Sequence, residues 1–153
     1  MGNAAFNIAM GGIGGEGTII DLDGDDIRML LLKVAPTFPG DLDVDNITDL
    51  LAGSADEADA TNYVRKALAL TTVTDDTDNR GEVTSGGTTT WTALGGASNN
   101  DIVGAVVYKH VTNDGDSIPI AYIELTDTPT NGGDFSVSFS GNLMFTITGP
   151  DGS

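Results

Sequence analysis

His110 is the only histidine in the chain, and Ser117, Asp114 and Asp116 follow within seven positions. A serine nucleophile needs a base within hydrogen-bond reach and a third group to orient that base. Here the serine and both aspartates fall in Thr112-Asn113-Asp114-Gly115-Asp116-Ser117, a run of turn formers. No strained nucleophile elbow or oxyanion glycine motif accompanies them. A lone histidine near a strand end reads as structural, and the enzyme class has no positive signal. A second chemical candidate is Asp21, Asp23, Asp25 and Asp26 around Gly24. A calcium loop of the EF-hand type places its glycine after the third acidic position and a bidentate glutamate at the twelfth. Gly24 comes too early, and a loop begun at Asp21 reaches Leu32 at that twelfth position. Asp21, Asp23 and Asp25 remain the nearest approach to a metal set, with turn chemistry as the competing explanation. Asp41, Asp43 and Asp45 form another acidic cluster, in which Asp45 suits a helix cap. Gly11 to Gly15 lacks the Lys-Ser/Thr ending and preceding strand of a phosphate loop. The expectation is no catalytic residue and no cofactor.

The stretch that must position everything else is Ile102 to Leu125. Two apolar, β-branched runs, 102–111 and 118–125, flank the polar turn and read as an antiparallel hairpin. Ala105 to Tyr108 is non-polar on consecutive residues, so both faces of the first strand should meet protein, as in the middle of a sheet. Thr18 to Leu32 reads as another hairpin, with a four-residue loop Asp23–Asp26 setting Leu22 opposite Ile27 and Ile20 opposite Met29. In the last hairpin, 135–147, a three-residue loop Ser140–Asn142 aligns Phe139 with Leu143, Val137 with Phe145 and Phe135 with Ile147. Asn142 would take the left-handed conformation there.

Between these lie an insertion and two strands. Pro36 and Pro39 interrupt pairing, and residues 36–61 should form an insertion with one short helix, 46–52, capped by Asp45 and ended by Gly53. Residues 63–74 and 88–94 read as strands, the latter carrying Trp91, with an acidic corner at 75–82. Residues 1–17 read as an extended N-terminal arm in which Phe6, Ile8 and Met10 alternate with small or polar residues, and glycines follow. Such an arm can add an edge strand to its own sheet or to a neighbouring subunit, or remain a partly ordered tail. Phe6, Ile8, Met10 and Ile13 are its candidate interaction residues. About eight strands joined by turns, with little helix, indicate an all-β, antiparallel β-sandwich or barrel-like module over residues 18–150. Trp91, Phe135, Phe139, Phe145, Val106 and Ile120 are its expected core.

Composition narrows the partners. The 23 acidic side chains against 6 basic ones give a formal charge of −17. Such a surface repels phosphates, which disfavours nucleic acid and anionic membranes. It suits either simple solubility or a basic partner surface. The chain has no cysteine, which removes disulfides and thiolate chemistry. No apolar run approaches the roughly 20 residues of a membrane helix, and the first residues lack the basic and unbroken apolar regions of a signal peptide.

The order of several strings is familiar. The strand segment Thr18–Lys33, Tyr63-x-Arg65, the Asp75–Arg80 corner, Trp91-Thr-Ala-Leu94, Gly104–Lys109, Ile120-Ala-Tyr-Ile123 and Thr130–Asp134 together resemble a family of small virion structural proteins of tailed bacteriophages. The insertion 36–61 departs from the simpler pattern. The resemblance implies a structural role without an active site. With the arm, it leads to the expectation of a capsid decoration or cement protein. Such a protein would be made in the bacterial cytoplasm and bound outside the shell to the major capsid protein, as a homotrimer at three-fold positions. A neck, tail or fibre-base location is the alternative, and a calcium-dependent binding module or a hydrolase built on His110 stands further off.

Overall fold

The computed structural model describes residues 2–13, 20–75 and 80–148. In chain order it contains β1 (Ala4–Ala5), α1 (Asn7–Ile13), β2 (Ile27–Val34), α2 (Ile47–Ala52), β3 (Asp56–Glu57), β4 (Lys66–Ala67) and β5 (Leu70–Asp75). There follow β6 (Arg80–Ser85), β7 (Thr89–Leu94), β8 (Asp101–Lys109), β9 (Ile118–Pro129), β10 (Gly133–Val137) and β11 (Leu143–Thr148). The principal sheet has the order β1-β9-β8-β2-β3, and β4 also pairs with β2. Two smaller sheets, β10-β7 and β11-β6-β5, complete an all-β, antiparallel sandwich.

The predicted central hairpin is present. Lys109 pairs with Ile118 and Val106 with Tyr122, while the other side of β8 pairs with β2 from Ile27–Lys109 to Leu32–Gly104. Ala105 to Tyr108 are wholly buried, because successive side chains point to opposite faces and both faces are covered. On one face Met29, Leu31, Ala105 and Val107 pack with Trp91, Leu94, Val83 and Val137 from the small sheets. On the other, Leu30, Leu32, Val106, Tyr108 and Tyr122 pack with Ile47 and Leu50 of α2 and with Phe6. The insertion therefore builds a third layer. Each such fully buried side chain contributes about 1.5–3 kcal/mol relative to exposure. A glycine at 104 is required by this packing, since a Cβ there would lie 2.4 Å from the Tyr122 ring.

The short helix forms where its periodicity indicates and stops at Gly53. Its cap, however, is Asn46 and not Asp45, because the Asn46 side chain accepts from the Asp49 N–H at 2.9 Å. Other expectations are corrected. Residues 20–26 do not pair with β2. Asp25 N–H donates to the Asp21 carbonyl at 2.8 Å, and this tight turn sends Ile20 and Leu22 into the core. Both edges of β2 are taken by β8 on one side and by β3 and β4 on the other, so no place is left for a hairpin partner. The expected 63–74 strand is split into β4 and β5, and the tip of the acidic corner, 76–79, lies outside the described residues.

The last two strands also fail to pair with each other. β10 joins β7, with Phe135 opposite Trp91, and β11 joins β6, with Phe145 opposite Val83. Asp134 accepts from the Ala93 N–H at 2.9 Å, and the Thr90 and Ser136 hydroxyls meet at 2.8 Å, so the turn between the strands serves to switch sheets. Its left-handed residue is Gly141, at φ 62°, in place of Asn142. Phe135, Phe139 and Phe145 are accordingly half-buried at the margin of the core, whereas Trp91, Val106 and Ile120 are inside it.

Residues 2–13 of the N-terminal segment are part of the folded body, and residues 1 and 14–17 lie outside the described residues. Ala4 pairs with Tyr122 and Ala5 with Ala121, so it does add an edge strand to its own sheet, but residues 7–13 are helical where an extended arm was expected. Phe6, proposed for external contacts, is wholly buried against Phe38, with ring centroids 6.3 Å apart. Ile8 is half-buried, Met10 is exposed, and the Ile13 side chain lies outside the described residues.

Candidate functional site

The chemical candidates are dispersed by the fold. Ser117 is buried in the β8–β9 turn, and its hydroxyl donates to the Asn113 carbonyl at 2.7 Å, while the His110 Nδ1 stands 3.5 Å away. Asp116 accepts from the Asn113 amide at 2.7 Å. Asp114 is turned away toward Arg65. These residues organise one turn and present no serine–histidine–carboxylate relay.

The aspartates of the first turn likewise point to separate partners. Asp21 accepts from the Gly24 N–H, Asp23 from the Thr72 hydroxyl at 2.6 Å, and Asp25 from the Asp21 N–H and from Lys109 at 2.8 Å. The Thr72 bond holds the Asp23 carboxyl below the usual carboxylate range. For Asp25, burial pushes upward but is outweighed by Lys109 and the Asp21 N–H. Among the described residues, no group of three His, Asp or Glu side chains is placed to hold a metal ion.

Two other constellations emerge. The first is a charge cluster on the outer edge of β2. Arg65 gives a forked pair to Glu57, Nε to Oε1 at 2.7 Å and Nη2 to Oε2 at 2.6 Å. It also binds Asp114 through Nη1 and through Nη2, the latter at 2.9 Å. Its guanidinium carbon lies 5.5 Å from the centre of the Tyr108 ring, in cation–π range. Tyr63 donates to Glu57 at 2.7 Å and accepts from the Leu31 N–H at 3.1 Å. That N–H falls in the gap between the β3 and β4 pairings, so the Tyr63 hydroxyl stands where a strand carbonyl would be. Glu57 raises the basicity of Arg65, burial and Glu57 push the Tyr63 hydroxyl up, and Arg65 holds Asp114 down. Every charge here is answered internally, so the cluster joins the insertion, β2 and the β8–β9 turn.

The second is an open groove of about 470 Å³ at the opposite edge of the sheet. One wall is β1 with the Tyr122–Leu125 part of β9; the other is the Val137–Ser140 crossover with Met144 and Phe145. Ile123, Leu125, Phe139, Met144 and Phe145 are half-buried along it. Among the described residues of this lining, Glu124 is the one that carries a charge, and none is a lysine or arginine. Burial, then Glu124 and Asp127, push the Tyr122 hydroxyl up. The groove volume falls within the roughly 300–1,000 Å³ of ligand clefts. Sequence reasoning missed the groove because it arises from the sheet switch between β10 and β11.

Comparison with family models, curated proteins and solved structures returned no match to this chain. No helix among the described residues is long and apolar enough to cross a membrane.

Proposed function

We propose that this chain is a structural virion protein of a tailed bacteriophage, a capsid decoration or cement protein. It binds the major capsid protein on the outside of the assembled shell and bridges neighbouring capsomers, acting as a homotrimer. The observation that carries the reading is the open groove in which Ile123, Leu125, Phe139, Met144 and Phe145 stand beside Glu124, on an all-β antiparallel sandwich. The motif order from Tyr63 to Asp134 supports the same assignment. Repetition of a modest contact over a lattice gives retention through avidity, which accords with a binding surface of this size.

The test is to add the purified protein to emptied shells that lack it, then to measure cosedimentation and image the shells. Density at every equivalent capsomer position is the expected result. Density at a single vertex assigns the protein to the neck or tail, and absence of binding rejects a virion role on the shell.

A further inference from the structure

From the same groove, and resting on that reading, we infer that the occupant is a segment of a partner protein in which apolar side chains alternate or mix with lysine or arginine. Three features define this chemistry. The walls offer Leu125, Phe139, Met144 and Phe145 to apolar groups. Among the described lining residues the one that carries a charge is Glu124, and the whole chain carries −17, so a basic segment is attracted and an acidic one repelled. A second copy of this chain, with 6 basic residues against 23 acidic ones, is the less complementary occupant.

The groove also selects the mode of contact. The Glu124 N–H is already satisfied by the Asn3 side chain at 2.9 Å. Beyond it, β9 is irregular opposite β8, where pairing shifts between Ile102–Thr128 and Gly104–Glu124, and the strand ends at Pro129. Bulges, charge and proline are the devices that keep an edge from accepting another strand. The partner therefore enters with side chains and not by backbone pairing.

The probe is a fluorescein-labelled hexapeptide of alternating lysine and leucine, titrated by anisotropy against the full chain beside a lysine–serine hexapeptide of equal charge. The leucine peptide is expected to bind about tenfold more tightly or better. That preference should disappear in Phe139→Ser, and Glu124→Lys should weaken both peptides. Melting curves check folding, and Met144→Ser, on the same wall, serves if Phe139→Ser unfolds. Equal binding of the two peptides, or a preference that survives both wall substitutions, overturns the inference. So does a wild-type dimer in sedimentation that dissociates in Phe139→Ser, because the groove would then be filled by a second copy. Shell binding by wild type that Phe139→Ser leaves intact rejects the groove and spares the decoration role. A peptide preference in a protein that does not bind shells supports the groove and rejects that role.

Discussion

The two edges of the principal sheet are closed by different means. At β2 the gap between β3 and β4 is filled by two side chains and one backbone group: the Tyr63 hydroxyl accepts from the Leu31 N–H, the Ala58 backbone N–H donates to the Leu31 carbonyl at 2.9 Å, and Arg65 fastens Glu57 to Asp114. At β9 the closure is a two-residue strand, the Asn3 side chain and one buried anchor, Phe6. Residues 125–129 have no strand partner on that side among the described residues. A charge-assisted closure is directional and complete, whereas an apolar anchor holds a strap while leaving a groove beside it. The contrast separates an edge that is closed by paired groups from one that leaves an open groove beside it.

The largest expected effect tests the anchor. Phe6→Ala should cost about 3–5 kcal/mol, read from urea unfolding, because the wholly buried ring would leave a cavity beside Phe38. A loss under about 1 kcal/mol would mean that the strap is dispensable. Gly104→Ala should cost about 1–3 kcal/mol by overpacking against Tyr122, and a melting temperature equal to wild type would refute the close approach.

Next, Arg65→Met should cost about 2–3 kcal/mol by leaving Glu57 and Asp114 partly buried without their partner. Arg65→Lys should recover only part of that, since an ammonium cannot reproduce the fork. Full rescue by lysine would reduce the cluster to simple charge pairing.

A pH series sharpens the same contrast. The carboxyls of Asp114, Asp26 and Asp59 are held down by Arg65, Arg28 and Lys33, respectively. Their folded values thus lie below the unfolded value of about 3.9. Their stabilisation is present above that value and is lost as pH falls through it toward the folded values. Wild type should lose stability on acidification below about pH 4. Arg65→Met should show a shallower acid limb, lacking the Asp114 share, while Phe139→Ser should keep the wild-type slope. The smallest effect belongs to the groove itself: Phe139→Ser should change stability by about 1 kcal/mol or less, measured by denaturant midpoint.

The central hairpin, α2 and β7 were legible because each is specified locally, by a turn, a cap or a continuous apolar run. The outer hairpins were not. Alternation in Phe135–Phe139 and Leu143–Ile147 indicates which side faces inward but does not name the neighbouring strand, and the neighbours β7 and β6 are distant in sequence. Tyr63-x-Arg65 was visible as a motif, yet its role depends on Glu57, Leu31 and Asp114, which only the fold brings together. Phe6 misled because its alternating surroundings suit a strand as well as the single turn that leads into α1. The groove could not be read at all, since its two walls come from separate sheets.

The pairing of Ala4 with Tyr122 has a consequence for biosynthesis. β1 leaves the ribosome long before the β9 strand on which it docks, so its contacts close a loop of more than a hundred residues and are among the slowest to form. At ordinary elongation speeds of roughly 5–20 residues per second, Phe6 waits several seconds for its site. During that interval the nascent chain carries an exposed aromatic that a chaperone can hold, and completion of β9 is the event that retires it.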